Sequence, residues 1–212
     1  MQPNPPVKYR TIVADPPWAY PEGFAGIRGP CTKEEVRSGW RDRVAMVRPP
    51  LQYSSLSLEQ IAALNVGDMA YRDCRLFLWT TQRYLQDAFP ILNAWGFTYR
   101  QTLIWHKVSS FSPFGGSIAP NNIEFLLVGK RGNPPVLDRM KGCVVATPGN
   151  SGRRKDNGTG PNKHSAKPEA FLDLVEQVSP GPYLELFARR QRLGWDTWGN
   201  EAMNHVDLGG AA

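Results

Sequence analysis

Apolar and polar positions fall into blocks along this chain, and the blocks differ in period. Thr11-Ile12-Val13-Ala14 is a short β-branched run that Asp15-Pro16-Pro17 cannot continue, which predicts a strand ending at Asp15. Arg75 to Thr80, with Leu76 to Trp79 in a row, and Glu124 to Val128, with Phe125 to Val128 in a row, have the pattern of strands covered on both faces. Phe97 to Lys107, Tyr183 to Ala188 and the short run Cys143 to Ala146 predict three more strands. Between them, Ser57-Leu58-Glu59-Gln60 has capping-box spacing and opens a helix running to about Leu64. Thr81 caps a second helix that Gly96 stops, with a kink or break at Pro90. Pro168 starts a third helix, through Val178, before the turn Pro180-Gly181-Pro182.

Strands that alternate with helices and read as continuous apolar runs predict an α/β fold: a mostly parallel sheet with helices on both faces. We read one domain over residues 1–212, with no internal repeat. Segments 19–55 and 148–164 carry no element pattern, and loops of that length in a domain this size point to substrate handling. The last residues, 203–212, read as a loose tail. Ligands of such sheets bind beyond the carboxyl ends of the strands, where Asp15 and Arg189 fall.

Composition narrows the class. Of 212 residues 41% are hydrophobic and 21% charged, ordinary for a globular chain, which excludes a disordered, collagenous or coiled-coil protein. No run approaches the roughly 20 apolar residues that span a bilayer, and the proline-rich start is not a secretory signal. Three scattered cysteines (Cys31, Cys74, Cys143) and three scattered histidines offer neither a disulfide framework nor a metal site, and fit a reducing cytoplasm. The net charge of +6 sits in two places. Arg28 to Arg48 holds six basic residues against three acidic ones, and Ser151 to His164 holds Arg153, Arg154, Lys155 and Lys163 against Asp156. Two basic loops on a neutral body suit a phosphate-bearing partner, although solvated loops have the same composition. A basic face this small leaves room for a second copy or a partner subunit.

Candidate chemistry concentrates in Asp15-Pro16-Pro17-Trp18. Two prolines bring carbonyl oxygens and no competing N–H, Asp15 adds a carboxylate acceptor, and Trp18 adds a flat apolar face. Acceptors beside a stacking surface suit a planar ring bearing an amino group. An aromatic amine is a poor nucleophile because its lone pair is delocalised. Two acceptors on its two protons draw the nitrogen toward tetrahedral geometry and free the lone pair to attack a methyl group. Catalysis of this kind is positioning and electrostatics, with no metal and no covalent intermediate. A turn followed by a core tryptophan is the plain alternative for the same four residues.

The tetrad resembles the signature of the N6-adenine methyltransferases related to the catalytic subunit of the eukaryotic mRNA adenosine methyltransferase. Further segments resemble that family in its order. They are Tyr53 to Ser57, Phe77 to Thr80, Leu103 to Lys107, Asn122 to Gly129, His164-Ser165-Ala166-Lys167-Pro168, Glu185 to Arg189, and Gly194-Trp195 to Asn200-Glu201. The resemblance runs from Tyr9 to Glu201. It implies a Rossmann-like fold dependent on S-adenosylmethionine, with catalysis by Asp15, Pro16, Pro17 and Trp18. It implies donor contacts at Asp15, Phe187, Arg189, Asn200 and Glu201, and substrate contacts at Tyr53, Arg153, Arg154, His164 and Lys167 as the two loops close over the nucleotide. The compact length is similar to the bacterial or phage branch, which mostly acts on DNA.

The chain departs from the family at two places that bear on the donor. Ile123 stands where the mRNA enzymes have lysine, which turns attention to Asn121 or Asn122 for the donor's carboxylate. Gln191-Arg192 replace a His-Asn pair after Arg189. Other residues carry two readings. His106 and Lys107 end a strand and face either substrate or a structural partner. Trp79 and Trp105 read as core. Buried Glu124 and Glu185 each need a partner. Methylation of adenine in DNA leads the readings, followed by the same reaction on RNA, cytosine amino methylation, and a non-catalytic nucleic-acid-binding subunit.

Overall fold

The computed structural model describes residues 8–20, 55–108, 121–147, 167–200 and 202–208. Seven strands form one sheet: β1 (Tyr9–Ala14), β2 (Ala70–Thr80), β3 (Thr98–Lys107), β4 (Ile123–Arg131), β5 (Val144–Thr147), β6 (Tyr183–Leu186) and β7 (Trp195–Trp198). Their order is β5-β3-β4-β2-β1-β6-β7. β4 is antiparallel to both neighbours, and every other pairing is parallel, so the sheet is mostly parallel as expected.

The helices are α1 (Leu58–Ala62), α2 (Val66–Met69), α3 (Leu85–Ala94) and α4 (Glu169–Val178), with a 3-10 turn (Gln82–Tyr84) leading into α3. Alternation along the strands decides which helix covers which face. Ile12, Ala14, Leu76, Leu78, Leu184 and Leu186 share a core with Ile61, Ala88, Ile91, Leu92 and Trp95, under α1 and α3. Val13, Phe77, Trp79, Leu103, Trp105 and Leu126 point the other way and pack on Phe171, Leu172 and Val175 of α4. Helices therefore cover both faces, which is why the strands read as unbroken apolar runs.

The capping box at Ser57 forms as its spacing indicates: Ser57 Oγ accepts from Gln60 N at 3.2 Å and Gln60 Oε1 accepts from Ser57 N at 2.8 Å. Four expectations need correction. α3 runs through Pro90, whose ring is exposed, so the carbonyl it leaves unpaired can face water. β2 begins at Ala70 and includes the polar stretch Tyr71 to Asp73 beyond the apolar run. β6 stops at Leu186, because Phe187 takes a left-handed conformation (φ 62). The tail is not loose over 202–208. Asn204 Oδ1 accepts from Gly199 N at 2.7 Å, His205 N donates to Thr197 O at 2.8 Å, and Leu208 is buried. Among the described residues no helix is long and apolar enough to cross a membrane.

Candidate active site

β1 is flanked by β2 on one side and β6 on the other, so Asp15, which follows it, stands at the point where the chain's crossovers diverge. Open α/β sheets bind ligands at such a point. The ends of β2, β3, β6 and β7 and the start of antiparallel β4 lie at the same edge. That edge collects Asp15, His106, Lys107, Asn122, Glu124, Phe187, Arg189 and Asn200 from distant parts of the sequence.

Charges alternate across it. Lys167 Nζ donates to Asp15 Oδ1 at 2.8 Å and Oδ2 at 2.7 Å, and lies 3.3 Å from Glu124 Oε2. Lys107 pairs with the other oxygen of Glu124. Trp79 and Trp105, buried as expected of core residues, also floor the site: Lys167 Nζ is 5.3 Å from the Trp79 ring and Lys107 Nζ 4.7 Å from the Trp105 ring. Burial by itself would lower the pKa of Lys167, but the Asp15 and Glu124 carboxylates outweigh it and hold the ammonium above the usual lysine range. Burial would likewise raise Glu124, yet Lys167 and Lys107 hold it below the usual carboxylate range. Lys167, expected at the substrate, is thus spent on Asp15. Lys107 is turned onto Glu124, and His106 Nε2 meets Asn122 Nδ2 at 3.2 Å.

The Asp15 to Trp18 turn is more tightly bonded than its prolines suggest. Pro16 O accepts from Trp18 N at 2.9 Å, and Pro17 O accepts from Leu56 N at 3.0 Å. Trp18 is only 4% exposed, and Tyr84 stacks on it with ring centroids 5.2 Å apart and planes 13° from parallel. Tyr84 itself donates to Ala19 O and meets Tyr20 edge-on. One face of Trp18 is thus taken by Tyr84, and little of the ring is exposed. Its surface is spent on locking the turn to the 3-10 segment.

A second loop system follows β6. Phe187 holds its left-handed turn with its ring edge-on to Trp198. Ala188 N donates to Trp198 O at 3.0 Å, and a Cβ on Gly199 would come within 2.5 Å of Ala188 O. Only glycine permits that approach. Arg189 is half-buried and Asn200 exposed at the rim. Tyr53, Arg153, Arg154, His164 and Glu201, together with both basic segments, lie outside the described residues.

Three buried side-chain atoms lack a hydrogen-bond partner among the described residues: Trp18 Nε1, Thr80 Oγ1 and Glu185 Oε2. They belong to β6, the last residue of β2 and the turn after β1, which are adjacent in the sheet. Orphaned polar atoms gathered at one sheet edge are what a polar ligand site looks like without its ligand. Burial, and then the charge of Asp15, push the Glu185 carboxyl up to about 7. A carboxylate short of a partner beside Asp15 fits a ligand that carries positive charge, as S-adenosylmethionine does. The sequence signal for Glu185 was a glutamate inside an apolar strand run.

The family model described as MT-A70 matches residues 9–201. The chain belongs to the MT-A70 family. MT-A70 proteins are methyltransferases dependent on S-adenosylmethionine, which agrees with this sheet and with the resemblance drawn from the motifs. Among MT-A70 relatives, the Type II methyltransferase M.MunI of Mycoplasma sp is 31% identical over 92% of this chain and 78% of its own length. An MT-A70-like N(6)-adenosine-methyltransferase of Drosophila melanogaster is 26% identical over 92% of the chain. The catalytic subunit METTL3 of Homo sapiens is 25% identical over the same share. This chain spans only 27% and 28% of the last two.

Proposed function

We propose that the chain transfers a methyl group from S-adenosylmethionine to the exocyclic N6 amine of adenine in DNA. The observation that carries this reading is Asp15, held in place by Lys167 where the crossovers diverge, next to a proline turn with a carbonyl acceptor. When bound, S-adenosylmethionine supplies a methyl carbon that the amine nitrogen attacks as its bond to sulfur breaks. Asp15 accepts one amine hydrogen. Pro16 O accepts the other through the lone pair that Trp18 N–H does not use. Pro17, through its bond to Leu56, and Trp18, through Tyr84, fix the direction of both acceptors. One amine proton then leaves to solvent.

Phe187, Arg189, Asn200 and Glu201 hold the adenosine end of the donor, and Asn122 with Asp15 holds its amino-acid end. The basic segments bearing Arg153, Arg154 and His164, with Tyr53, engage the nucleic acid, a target base entering the pocket unstacked. A Type II methyltransferase relative that this chain covers over most of its length favours DNA. The adenosine methyltransferases at lower identity favour RNA as the second reading.

The test is transfer of labelled methyl to unmethylated duplex DNA, single-stranded DNA and RNA in parallel, with mass spectrometry of the released nucleosides. N6-methyladenine in DNA that disappears in Asp15→Ala supports the proposal. Product in RNA alone moves the substrate to the second reading. A methylated cytosine overturns the base assignment, and full activity in Asp15→Ala overturns the mechanism.

A further inference from the structure

The loop joining β6 to β7 is bound to α4 by an unusually dense set of charges. Arg192 Nε and Nη2 meet the two carboxylate oxygens of Glu176 at 3.0 and 3.1 Å. Nη2 also meets Asp173 Oδ1 at 2.6 Å, and Nη1 meets Glu169 Oε2 at 3.1 Å. Residues 169, 173 and 176 share one helical face, so a single guanidinium spans two turns of α4. Glu176 Oε1 further accepts from Trp195 Nε1 at 2.6 Å, and Arg190 Nη2 lies 2.7 Å from Glu169 Oε1. The backbone at each end of the loop is left-handed, at Phe187 (φ 62) and Gly194 (φ 83). The same helix follows directly on Lys167 and Pro168, and Lys167 holds Asp15.

The Arg192 side chain is committed to the helix. We propose that Arg192 is a positioning residue for the methyl donor: it ties the loop carrying Phe187 and Arg189 to the helix that follows Lys167, and so holds the adenosine end of the donor site in its binding conformation. This rests on the reading that the 187–200 segment receives the donor's adenosine. Because the clamp is ionic and one flank of each partner meets solvent, its hold weakens with salt. The loop's grip on an uncharged adenosine ligand then weakens with it.

The experiment is calorimetric titration of the full chain with S-adenosylmethionine and with methylthioadenosine, which has the adenosine end but neither the amino-acid end nor the charge. Wild type, Arg192→Ala and Arg192→Lys are compared, with steady-state kinetics alongside. Arg192→Ala is expected to weaken both ligands by the same factor, about tenfold, and Arg192→Lys by about threefold. The KM for the donor rises in step, while kcat at saturating donor and the KM for nucleic acid stay within about twofold. Methylthioadenosine affinity of wild type falls between about 0.05 and about 0.5 M salt, and that of Arg192→Ala does not. A lower melting temperature with both affinities unchanged would make the clamp merely structural and overturn the proposal. A loss confined to S-adenosylmethionine would also overturn it, since Arg192 would then act on the amino-acid end of the donor and not on its adenosine end. If wild type binds neither ligand, the donor-site reading itself fails.

Discussion

Lys167 donates to both carboxylate oxygens of Asp15, at 2.8 and 2.7 Å, from 152 residues away in the chain. The same ammonium lies 3.3 Å from Glu124, so one cation serves two carboxylates. Removing it takes from Asp15 its bidentate cation and leaves buried Glu124 with Lys107 alone. Lys167→Met is expected to destabilise the fold by about 3 kcal/mol in denaturant titrations and to abolish methyl transfer. A Met variant with normal turnover would show that Asp15 needs no such support.

Glu185 gives the protein a distinctive pH response. In the folded chain it keeps its proton up to about pH 7, through burial first and the neighbouring Asp15 second. An unfolded glutamate gives its proton up near ~4.3. Between those values the folded state binds the extra proton, so this group's contribution is complete below ~4.3 and declines as pH rises toward 7. Glu185→Gln has no proton to lose. The stability difference between wild type and variant should therefore shift in favour of the variant from about pH 5 to about pH 8. Parallel curves would assign Glu185 an ordinary, solvated carboxyl.

Trp18 offers a direct comparison of two roles. As a lock on Tyr84 it should tolerate phenylalanine, which keeps an aromatic face against Tyr84, at a cost of about 1 kcal/mol and with most turnover retained. Trp18→Ala removes the ring and should cost about 3–5 kcal/mol. Thermal unfolding measures both. A phenylalanine variant that is stable yet binds substrate poorly would return Trp18 to the role of base platform.

Arg75 lies at the opposite edge from the site. It donates to Pro134 O at 3.2 Å, Pro135 O at 3.1 Å and Ser179 Oγ at 2.8 Å, and reaches Val178 O at 3.4 Å. It ties the loop after β4 to the end of α4. Arg75→Met takes this donor from Pro134 O and Pro135 O, while Val178 O keeps Leu137 N and Ser179 Oγ keeps its bond to Thr11 Oγ1. Stability should fall by about 3 kcal/mol, while turnover per folded molecule stays unchanged. Reduced turnover at low temperature would mean that this tie reaches the site.

What the sequence disclosed follows from what is local. A capping box, a proline turn and unbroken apolar runs each act within a few residues, so α1, the Asp15 turn and the cores of β2 and β4 were legible. The antiparallel setting of β4 was not, because its apolar run looks the same in either direction. The short β7 was not legible as a strand, since Trp195–Trp198 mixes an aspartate and a threonine with its tryptophans. The end of β6 was hidden because Phe187 adopts a conformation its type rarely takes. Lys167 was placed at the site, but its ion pair with Asp15 was not legible, because which carboxylate a lysine meets depends on which strands the sheet sets beside it. The stacking of Trp18 on Tyr84 was hidden for a related reason, since Tyr84 arrives from beyond β2.

The segment after the family boundary has a consequence for anyone trimming this chain. The family match ends at residue 201, yet residues 202–208 are stitched along β7, the outermost strand. His205 N meets Thr197 O at 2.8 Å, and Thr197 N meets His205 Nδ1 at 3.1 Å. Cutting at the boundary would bare the amide and carbonyl of Thr197 and free Gly199 N from Asn204. The bare strand would become a template for pairing with a neighbouring molecule, and the glycine that cradles the Phe187 turn would lose its anchor. These few residues act as selvage: they finish the border of the sheet and keep the weave beside the donor loop from unravelling.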